Sequence, residues 1–251
     1  MDDLEKVKEE FDNIDLANNV QKDILIVVHN QFDYVKNCLK SIFENTKSFN
    51  LHIWDNASNK KTKDYLNKIY QKKENVFLYR SEENLGFIVP NNRMAQGCNS
   101  EYIILLNSDT QVLNHWDKVL IGFLKKNKDV YLVGYEGGIL NAKGKGVDVC
   151  SGYSADYICG YCMCFSKKTY EEFGLFDDKN LRFAYCEDSD FSLRIKDKNK
   201  KIYACYAKDL VFHFGGKTSN SVIDEKMAKV IEANMEHMQK KWANYLKEKE
   251  C

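Results

Sequence analysis

Short apolar segments alternate with amphipathic stretches along the first 135 residues of this chain. Each apolar segment is rich in β-branched or aromatic residues and has the length of a strand buried on both faces. The intervening stretches carry apolar residues at helical spacing. Five such alternations predict an α/β fold with a Rossmann-like, mostly parallel central sheet flanked by helices. The predicted strands are 23–28, 51–54, 76–79, 102–106 and 130–133.

The second half of the chain follows a different pattern. Glycines cluster at 134–146, and this composition predicts a mobile loop. Strand-like segments follow at 157–165, 201–206 and 210–214, around a helical stretch near 188–195. This half is therefore predicted to be mixed α+β and to continue the same sheet.

Three segments are expected along the chain. Apolar residues at helical spacing in the first twenty residues predict a helical extension at 1–21. The main domain is expected at 22–220. Apolar residues at helical spacing from Ile223 onwards predict a C-terminal helix at 221–251. Packing of this helix on the domain is favoured over binding to a partner.

Composition excludes several classes of function. The 37 Lys and Arg residues balance the 37 Asp and Glu residues, so no global field attracts nucleic acid and no nucleic-acid partner is expected. No apolar run approaches the roughly 18–20 residues of a membrane helix, and the N-terminus lacks a signal-peptide apolar region. No transmembrane segment is expected, while peripheral membrane contact and oligomeric state remain open.

The cysteines point to a reducing compartment. There are nine, an odd number without the spacing of a small disulfide-linked domain, which favours free thiols and a cytoplasmic location. Cys159 and Cys162 have the spacing of a redox motif, and Cys164 adds a third thiol. The surrounding residues indicate a strand and no second cysteine pair completes a zinc site, so burial as small apolar residues is favoured.

The strongest candidate site residue is Asp109. It follows the buried strand 102–106 through Asn107 and Ser108, at the edge where parallel sheets bind ligands. A lone carboxylate there can hold a divalent cation on a pyrophosphate, because phosphate oxygens and water complete the coordination shell. The alternative is an Asx-turn that caps a helix beginning near Asn114.

A second candidate is the acidic cluster of Glu187, Asp188 and Asp190. Carboxylates this close repel one another, and this crowding raises a carboxyl pKa towards values useful in a general base. The alternative is an acidic first helical turn, which the helix dipole favours. Aromatic residues before the cluster and apolar residues after it favour a cleft over open solvent.

A third candidate is His213, within an aromatic strand. Alone, it is more readily explained as a core histidine than as a metal ligand. Paired with Asp109 and diphosphate oxygens, it would suit Mn²⁺ or Mg²⁺, and the imidazole favours Mn²⁺. Asp55, at the end of the second strand, would bind a base or ribose hydroxyl or else cap a helix.

Six segments in the order of a known family carry a resemblance over roughly residues 22–220. They resemble the family 2 glycosyltransferases of the GT-A fold, especially the rhamnosyltransferase-like branch. The segments are Val27-Val28-His29-Asn30, Asp55-Asn56-Ala57-Ser58, Asn84-Leu85-Gly86-Phe87 through Asn92-Arg93, Leu106-Asn107-Ser108-Asp109-Thr110, Glu187-Asp188-Ser189-Asp190-Phe191 with Arg194, and His213 with Gly216.

The resemblance implies an inverting, metal-dependent hexosyltransferase whose mixed half faces the acceptor. It would move a sugar, rhamnose among the candidates, from a UDP- or dTDP-sugar to a hydroxyl of a glycan, lipid-linked or protein acceptor. Asp109 and His213 would hold Mn²⁺ or Mg²⁺ on the diphosphate, and Asp188 would deprotonate the acceptor hydroxyl.

The resemblance also implies further roles. Glu187 and Asp190 would orient the acceptor or shape the base, and Asp55 would bind the nucleotide. The other donor-side candidates are Val28, His29, Asn30, Asn84, Gly86, Arg93, Asn107 and Ser108, and the acceptor-side candidates are Gly160, Tyr161 and Arg194. Ile88-Val89-Pro90 and Met94 replace small residues of the family pattern. The larger side chains at these positions would keep the backbone further from the donor and could change which donor is bound.

Three other functions compete with this assignment. A dehydrogenase needs a G-x-G-x-x-G turn after the first strand, and the chain has none there. A sugar nucleotidyltransferase usually has a glycine- and basic-rich loop at that turn, where this chain has His29-Asn30-Gln31-Phe32. A catalytically silent GT-A-like carbohydrate-binding module remains an alternative, which the presence of Asp109, Asp188 and His213 disfavours.

Overall fold

The computed structural model describes residues 2–215 and 225–250 of the chain. The strands are β1 (Lys22–Val28), β2 (Phe49–Asn56), β3 (Val76–Ser81), β4 (Tyr102–Leu106), β5 (Thr110–Val112), β6 (Val130–Gly134), β7 (Gly137–Leu140), β8 (Gly146–Cys150), β9 (Tyr157–Ile158), β10 (Cys162–Ser166), β11 (Lys201–Ala204) and β12 (Val211–His213). The helices are α1 (Asp3–Phe11), α2 (Phe32–Asn45), α3 (Lys60–Lys72), α4 (Ile88–Gln96), α5 (Trp116–Lys126), α6 (Lys167–Phe173), α7 (Glu187–Asp197), α8 (Glu225–Lys241) and α9 (Ala243–Lys247).

A seven-stranded sheet forms the centre of the molecule, in the order β11-β6-β10-β4-β1-β2-β3. All neighbouring strands are parallel except β10, which runs antiparallel to both β4 and β6. The predicted α/β fold with a mostly parallel sheet and flanking helices is therefore confirmed. The mixed half joins this sheet through β10 and β11, as predicted for the segments 157–165 and 201–206. The predicted strand at 210–214 does not join it, because β12 pairs with β5 in a separate two-stranded sheet.

Alternating side chains of the central strands build a core on each face of the sheet. In β1, Ile24 and Ile26 belong to one buried cluster and Leu25 to the other. Successive residues of a strand point to opposite faces, so a strand covered on both sides is apolar throughout. This is why the central strands appear in the sequence as continuous apolar runs.

The glycine cluster at 134–146 differs from its prediction, because it contains ordered strand structure. β7 pairs with both β8 and β9 in a separate three-stranded sheet. A side chain at Gly138 would collide with the ring of Tyr157, and one at Gly137 would crowd Ala155. These glycines therefore allow close packing between strands, a role that composition alone does not distinguish from mobility.

Both ends of the chain pack on the central domain. The buried carboxylate of Glu10, in α1, accepts hydrogen bonds from the Tyr203 hydroxyl and from the backbone N–H groups of Tyr206 and Ala207. At the other end, Met238 and Leu246 are buried in the core. The expected boundary at 220/221 lies outside the described residues. In the ranges that the structure covers, none of the helices is long and apolar enough to cross a membrane.

Candidate active site

A cavity of about 410 Å³ opens where the central sheet meets the mixed half of the molecule. Its lining includes the turn after β4, the segment after β6, the turn before β10, the start of α7, the end of β12 and one face of α8. The polar side chains in this lining include Asn107, Glu136, Glu187, Asp188 and His213. Residues far apart in the sequence thus meet at the carboxyl edge of the sheet, where open α/β folds bind their ligands.

Asp109 lies beside His213, which lines this cavity. The Oδ1 atom of Asp109 is 3.3 Å from Nε2 of His213, and their side chains are 5% and 25% exposed. The Asn107 amide nitrogen lies 3.4 Å from the same imidazole nitrogen. The predicted pairing of a carboxylate and an imidazole, more than a hundred residues apart, is therefore present in the structure.

A two-stranded ribbon and a ring stack hold this pair in place. β12 runs antiparallel to β5, so that His213 is opposite Thr110, the residue after Asp109. The backbone N–H of Phe214 also donates to the backbone oxygen of Asp109 at 3.0 Å. The imidazole stacks on the ring of Tyr161, with 4.6 Å between centroids. Tyr161, an acceptor-side candidate, thus orients the histidine and lines the cavity.

Glu187 and Asp188 form a buried acidic pair in the first turn of α7. Oδ2 of Asp188 accepts a hydrogen bond from the Gly160 backbone N–H at 3.1 Å, and Oδ1 accepts one from Ser189 N–H at 2.7 Å. Within the described part of the chain, Oε2 of Glu187 has no hydrogen-bond partner. The acidic first helical turn and the cleft, which the sequence offers as alternatives, therefore occur together.

Burial changes the titration of this pair. Desolvation, with the Asp188 charge adding to it, raises the pKa of Glu187 to about 8. Desolvation also raises the pKa of Asp188, while the hydrogen bonds from Ser189 and Gly160 act in the opposite direction. A desolvated pair of carboxyl groups with raised pKa values is suited to proton transfer.

Asp190 and Arg194 lie on α7 but are not in the cavity lining. Asp190 is fully buried and contacts Arg194, Lys241 and Trp242 through its two oxygens. Arg194 also donates to the backbone oxygens of Phe173 and Leu175. These contacts join α7 to its neighbours, so the structure brings neither side chain to the position where the sequence placed a catalytic or acceptor-binding group.

Asp55 lies at the end of β2, as predicted, and its carboxylate is already paired. Oδ2 accepts a hydrogen bond from Arg80 Nε at 2.9 Å, and Oδ1 accepts one from Ser58 N–H at 3.1 Å. The cap of α3 is Asn59, whose side chain accepts from Thr62 N–H. The helix-cap alternative for Asp55 is therefore wrong.

Asn56 organises the turn that carries Asn84 and Gly86. Its side-chain nitrogen donates to Asn84 Oδ1 at 2.7 Å and to the Gly86 backbone oxygen at 2.8 Å. Its oxygen accepts from Leu85 N–H. Gly86 has a φ of 78°, and a Cβ there would collide with the backbone of Phe183. The turn therefore packs directly against the segment before α7.

The remaining donor-side candidates surround the carboxyl ends of β1, β2 and β4. His29 Nδ1 is 2.7 Å from the Asn56 backbone oxygen, and Asn30 has a φ of 58° and accepts a hydrogen bond from Asn59 N–H. The Arg93 guanidinium lies over the Trp54 ring. The other two, Val28 and Ser108, are buried. Ile88 and Met94 are also buried, so the core accommodates their bulk.

Some lining residues were not identified from the sequence. Glu136 adds a third carboxylate, and Ile231 and Met235 of α8 form an apolar wall. Glu136 follows the predicted strand 130–133, so its position at the carboxyl edge of the sheet could have identified it as a cavity residue. No pattern in the sequence indicated which part of the core would receive α8.

The cysteines and a second polar cluster lie apart from the Asp109–His213 pair. The eight cysteines within the described ranges are free, and Cys162 and Cys164 are buried in β10. Ligand atoms of Asp23, His52 and Cys98 lie within 4.8 Å of one another. Both oxygens of Asp23 already accept hydrogen bonds, from Asn50 and from the backbone N–H groups of Asn99 and Ser100. This cluster therefore serves the packing near the start of β1.

Solved structures of nucleotide-sugar enzymes share this fold. They include GalNAc-T7 with UDP, GalNAc and Mn²⁺ (17% identity, TM-score 0.65, 75% of this chain and 43% of that chain). The mannosyltransferase PcManGT from Pyrobaculum calidifontis, in complex with GDP-Man and Mn²⁺, matches at 12% identity and a TM-score of 0.59, over 80% and 65% of the two chains. S. aureus TarS 1–349 in complex with UDP-GlcNAc matches at 16% identity and a TM-score of 0.60, over 84% of this chain and 64% of that chain. The chain spans 43% to 65% of the length of these proteins.

The sheet and the position of the cavity define a doubly wound α/β protein with a cavity at the carboxyl edge, where proteins of this class bind their ligands. No curated protein sequence matches the chain. Residues 23–149, half of the chain, match the family model described as glycosyl transferase family 2. The chain belongs to glycosyl transferase family 2. The family named from the six motifs is thereby confirmed, while its rhamnosyltransferase-like branch stays a prediction.

Proposed function

We propose that this protein is a metal-dependent, inverting glycosyltransferase that moves a sugar from a nucleoside diphosphate sugar to a hydroxyl acceptor. One observation carries the proposal: His213, in contact with Asp109, lines the same cavity as the buried pair of Glu187 and Asp188. A cation-binding pair and a proton-accepting pair on one cavity are the two components that this reaction needs.

The pair of Asp109 and His213 fits a divalent cation. Its Oδ1 and Nε2 atoms are 3.3 Å apart, close to the ~3 Å between neighbouring ligands of an octahedral ion with bonds of ~2.1 Å. A carboxylate and an imidazole suit Mn²⁺ better than Mg²⁺. When bound, the cation would neutralise the charge that develops on the departing diphosphate. GalNAc-T7 and PcManGT are both described with Mn²⁺, which supports this choice.

Asp188 is the proposed general base. Its carboxylate takes the proton of the acceptor hydroxyl while that oxygen attacks the anomeric carbon, and the bond from this carbon to the diphosphate oxygen breaks with its electron pair. Attack from the face opposite the leaving group inverts the configuration. The N–H groups of Gly160 and Ser189 fix the orientation of Asp188. Glu187 keeps the pair singly charged, because both carboxylates ionise together only at high cost.

The donor is proposed to lie against Asp55, Asn84 and Gly86, and the acceptor against Gly160 and Glu136. UDP-, dTDP- and GDP-sugars are the donors to test, with rhamnose among the sugars because of the motif order. The acceptor is a hydroxyl of a glycan, a lipid-linked sugar or a protein. We place the reaction in the cytoplasm because the described cysteines are free thiols.

Thermal unfolding with nucleotide sugars, with and without Mn²⁺, tests the donor and metal together. A donor at 100 times its Kd should stabilise the protein by about 2.7 kcal/mol, and only when Mn²⁺ is present. Asp109→Asn should remove this dependence, whereas Asp148→Asn, at an exposed position, should keep it. Stabilisation that ignores Mn²⁺ contradicts the metal site, and no stabilisation by any nucleotide sugar contradicts the function.

Release of nucleoside diphosphate from the bound donor separates a transferase from a silent binding module. The proposal expects slow, Mn²⁺-dependent release to water in the absence of an acceptor. Donor binding without release or transfer to any acceptor would support the silent module. Formation of a nucleotide sugar from a sugar phosphate and a nucleoside triphosphate would instead identify a nucleotidyltransferase.

A further inference from the structure

Three of the four residues before the acidic pair have unusual backbone conformations. Phe183, Tyr185 and Cys186 have φ values of 63°, 77° and 72°. Residues other than glycine, asparagine and aspartate seldom adopt this left-handed region, because the Cβ crowds the following carbonyl oxygen. A loop built from such residues keeps its shape only when its surroundings hold it there. Contacts from outside the loop must therefore determine where α7 begins.

Asn234, on α8, supplies these contacts on one side of the 182–186 loop. Its side-chain oxygen accepts a hydrogen bond from Arg182 N–H at 2.9 Å. Its side-chain nitrogen donates to the backbone oxygens of Arg182, Ala184 and Tyr185 at 2.8, 2.9 and 3.1 Å. Asn234 is 1% exposed, so its amide is dedicated to this loop.

The donor-side turn holds the other side of the same loop. The backbone oxygen of Phe183 accepts hydrogen bonds from Phe87 N–H at 2.6 Å and from Ile88 N–H at 3.1 Å. Gly86 packs so closely that a Cβ would overlap Phe183. The loop is thus held between α8 and the turn at 84–88, and the residues that follow it are Glu187 and Asp188.

We infer that Asn234 is a positioning residue, which holds the 182–186 loop so that Asp188 faces the reacting hydroxyl. This inference rests on the proposed function of Asp188 as the base. Ile231 and Met235, on the same helix, line the cavity beside the loop. The C-terminal helix therefore both forms a wall of the acceptor side and sets the geometry of the base.

Asn234→Ala and Gln239→Ala, compared by hydrogen exchange and kinetics, test the inference. Gln239 is exposed on the same helix, and its amide donates to the Lys143 backbone oxygen, so it controls for loss of an amide from α8. In Asn234→Ala, backbone exchange over 182–188 should rise, and kcat should fall by at least about ten-fold through misplacement of the base. The Kd for the nucleotide sugar should stay close to that of the wild type. Gln239→Ala should change neither quantity.

The outcomes separate the two proposals. Faster exchange with an unchanged kcat, or unchanged exchange, would overturn the role of Asn234. A loss of donor affinity equal to the loss in kcat would also overturn it, because it would indicate general disruption. If Asn234→Ala does not fold, Asn234→Gln, which displaces the amide by one methylene, takes its place under the same criteria. A wild-type protein that neither transfers nor hydrolyses any donor overturns the proposed function, while exchange still decides whether Asn234 holds the loop.

Discussion

The carboxylates of α7 have different surroundings although they are near neighbours in the sequence: two line the cavity, and the third is buried against cationic side chains. Glu187 and Asp188 line the cavity, and desolvation raises the pKa of each. Asp190, two residues further on, is buried against Arg194, Lys241 and Trp242. A paired carboxylate contributes to stability, whereas a desolvated and underpaired one is retained at a cost in stability.

Asp188→Asn should therefore lower activity and leave stability nearly unchanged, whereas Asp190→Asn should lower stability. Loss of the base should reduce transfer by about 10²–10⁴-fold with little change in unfolding temperature. Loss of the Asp190 charge should cost about 2 kcal/mol or more, because Arg194 and Lys241 lose their partner. Steady-state kinetics and urea unfolding of both variants measure this. If Asp190→Asn were the more damaging to activity at full stability, the roles assigned here would be reversed.

Glu187 should make stability depend on pH in the metal-free protein. Its pKa is raised from 4.5 to about 8, so the folded protein holds a proton through that window which the unfolded chain has lost. Stability therefore falls as the pH rises from about 4.5 to 8. Glu187→Gln should remove this fall and unfold at a higher temperature than the wild type at pH 8, with the difference vanishing near pH 4.5.

The control for this experiment is Glu83→Gln, at an exposed position, which removes one negative charge without touching the cavity. Thermal unfolding from pH 4.5 to 8 in the presence of a chelator is the measurement. Parallel pH curves for Glu187→Gln and the wild type would show that Glu187 is ionised in the folded protein throughout this window.

At the scale of elements, the turn at 84–88 connects the proposed donor side of the cavity with the loop before α7. Gly86 and Gly174 both have positive φ, 78° and 68°, but only Gly86 has neighbours that a Cβ would meet. A positive φ is therefore common to both positions, and the collision with Phe183 is particular to Gly86. Gly174 shows the effect of a side chain at positive φ without that collision.

Gly174→Ala should cost about 1–3 kcal/mol, because its φ of 68° and ψ of −160° lie in a region almost exclusive to glycine, and should leave donor binding intact. Gly86→Ala should cost roughly 3 kcal/mol, because the overlap with Phe183 adds to the strain of a positive φ, and should weaken both donor binding and turnover. Urea unfolding and donor titration provide the two measurements. Unchanged donor binding in Gly86→Ala would mean that the turn moves freely away from the loop.

Elements with a buried apolar pattern were predicted from the sequence, whereas very short strands and strands packed through glycine were missed. β1, β4 and α3 followed directly from apolar runs and helical spacing, because burial on one or two faces leaves a local pattern. β7 and β8 were missed, since their glycines serve contacts with Tyr157 and Ala155, which are invisible in a local window. β5 was missed because three residues are too few to form a pattern.

At the scale of the whole molecule, the last helices attach to the mixed half at three places. Asn234 binds the 182–186 loop, Trp242 donates to Asp190, and Tyr245 and Lys249 contact Asp156. Asp156 is 1% exposed and also accepts from Leu140 N–H. The C-terminal segment thus joins α7, β7 and the cavity wall into one unit.

Removal of residues 242–251 should destabilise the whole domain. It deletes the contacts to Asp190 and Asp156 and exposes the site of Leu246, which is 3% exposed in the intact protein. A loss of at least about 3 kcal/mol is expected, seen as a lower urea midpoint. Lys247→Ala, at an exposed position of α9, is the control and should change little. An unchanged midpoint after truncation would mean that these contacts are not formed in solution.

The sequence by itself determined the alternation of strands and helices, the edge of the sheet that carries the site, and the identity of Asp109, Asp188 and His213 as its candidates. Each of these follows from local patterns, because burial period and strand ends are properties of short segments. Only the tertiary structure decided that Asp190 and Arg194 join elements to one another, that Glu136 enters the cavity, and that Asn234 holds the loop before Asp188. Those roles depend on contacts between segments about 20 to 50 residues apart, which no local pattern encodes.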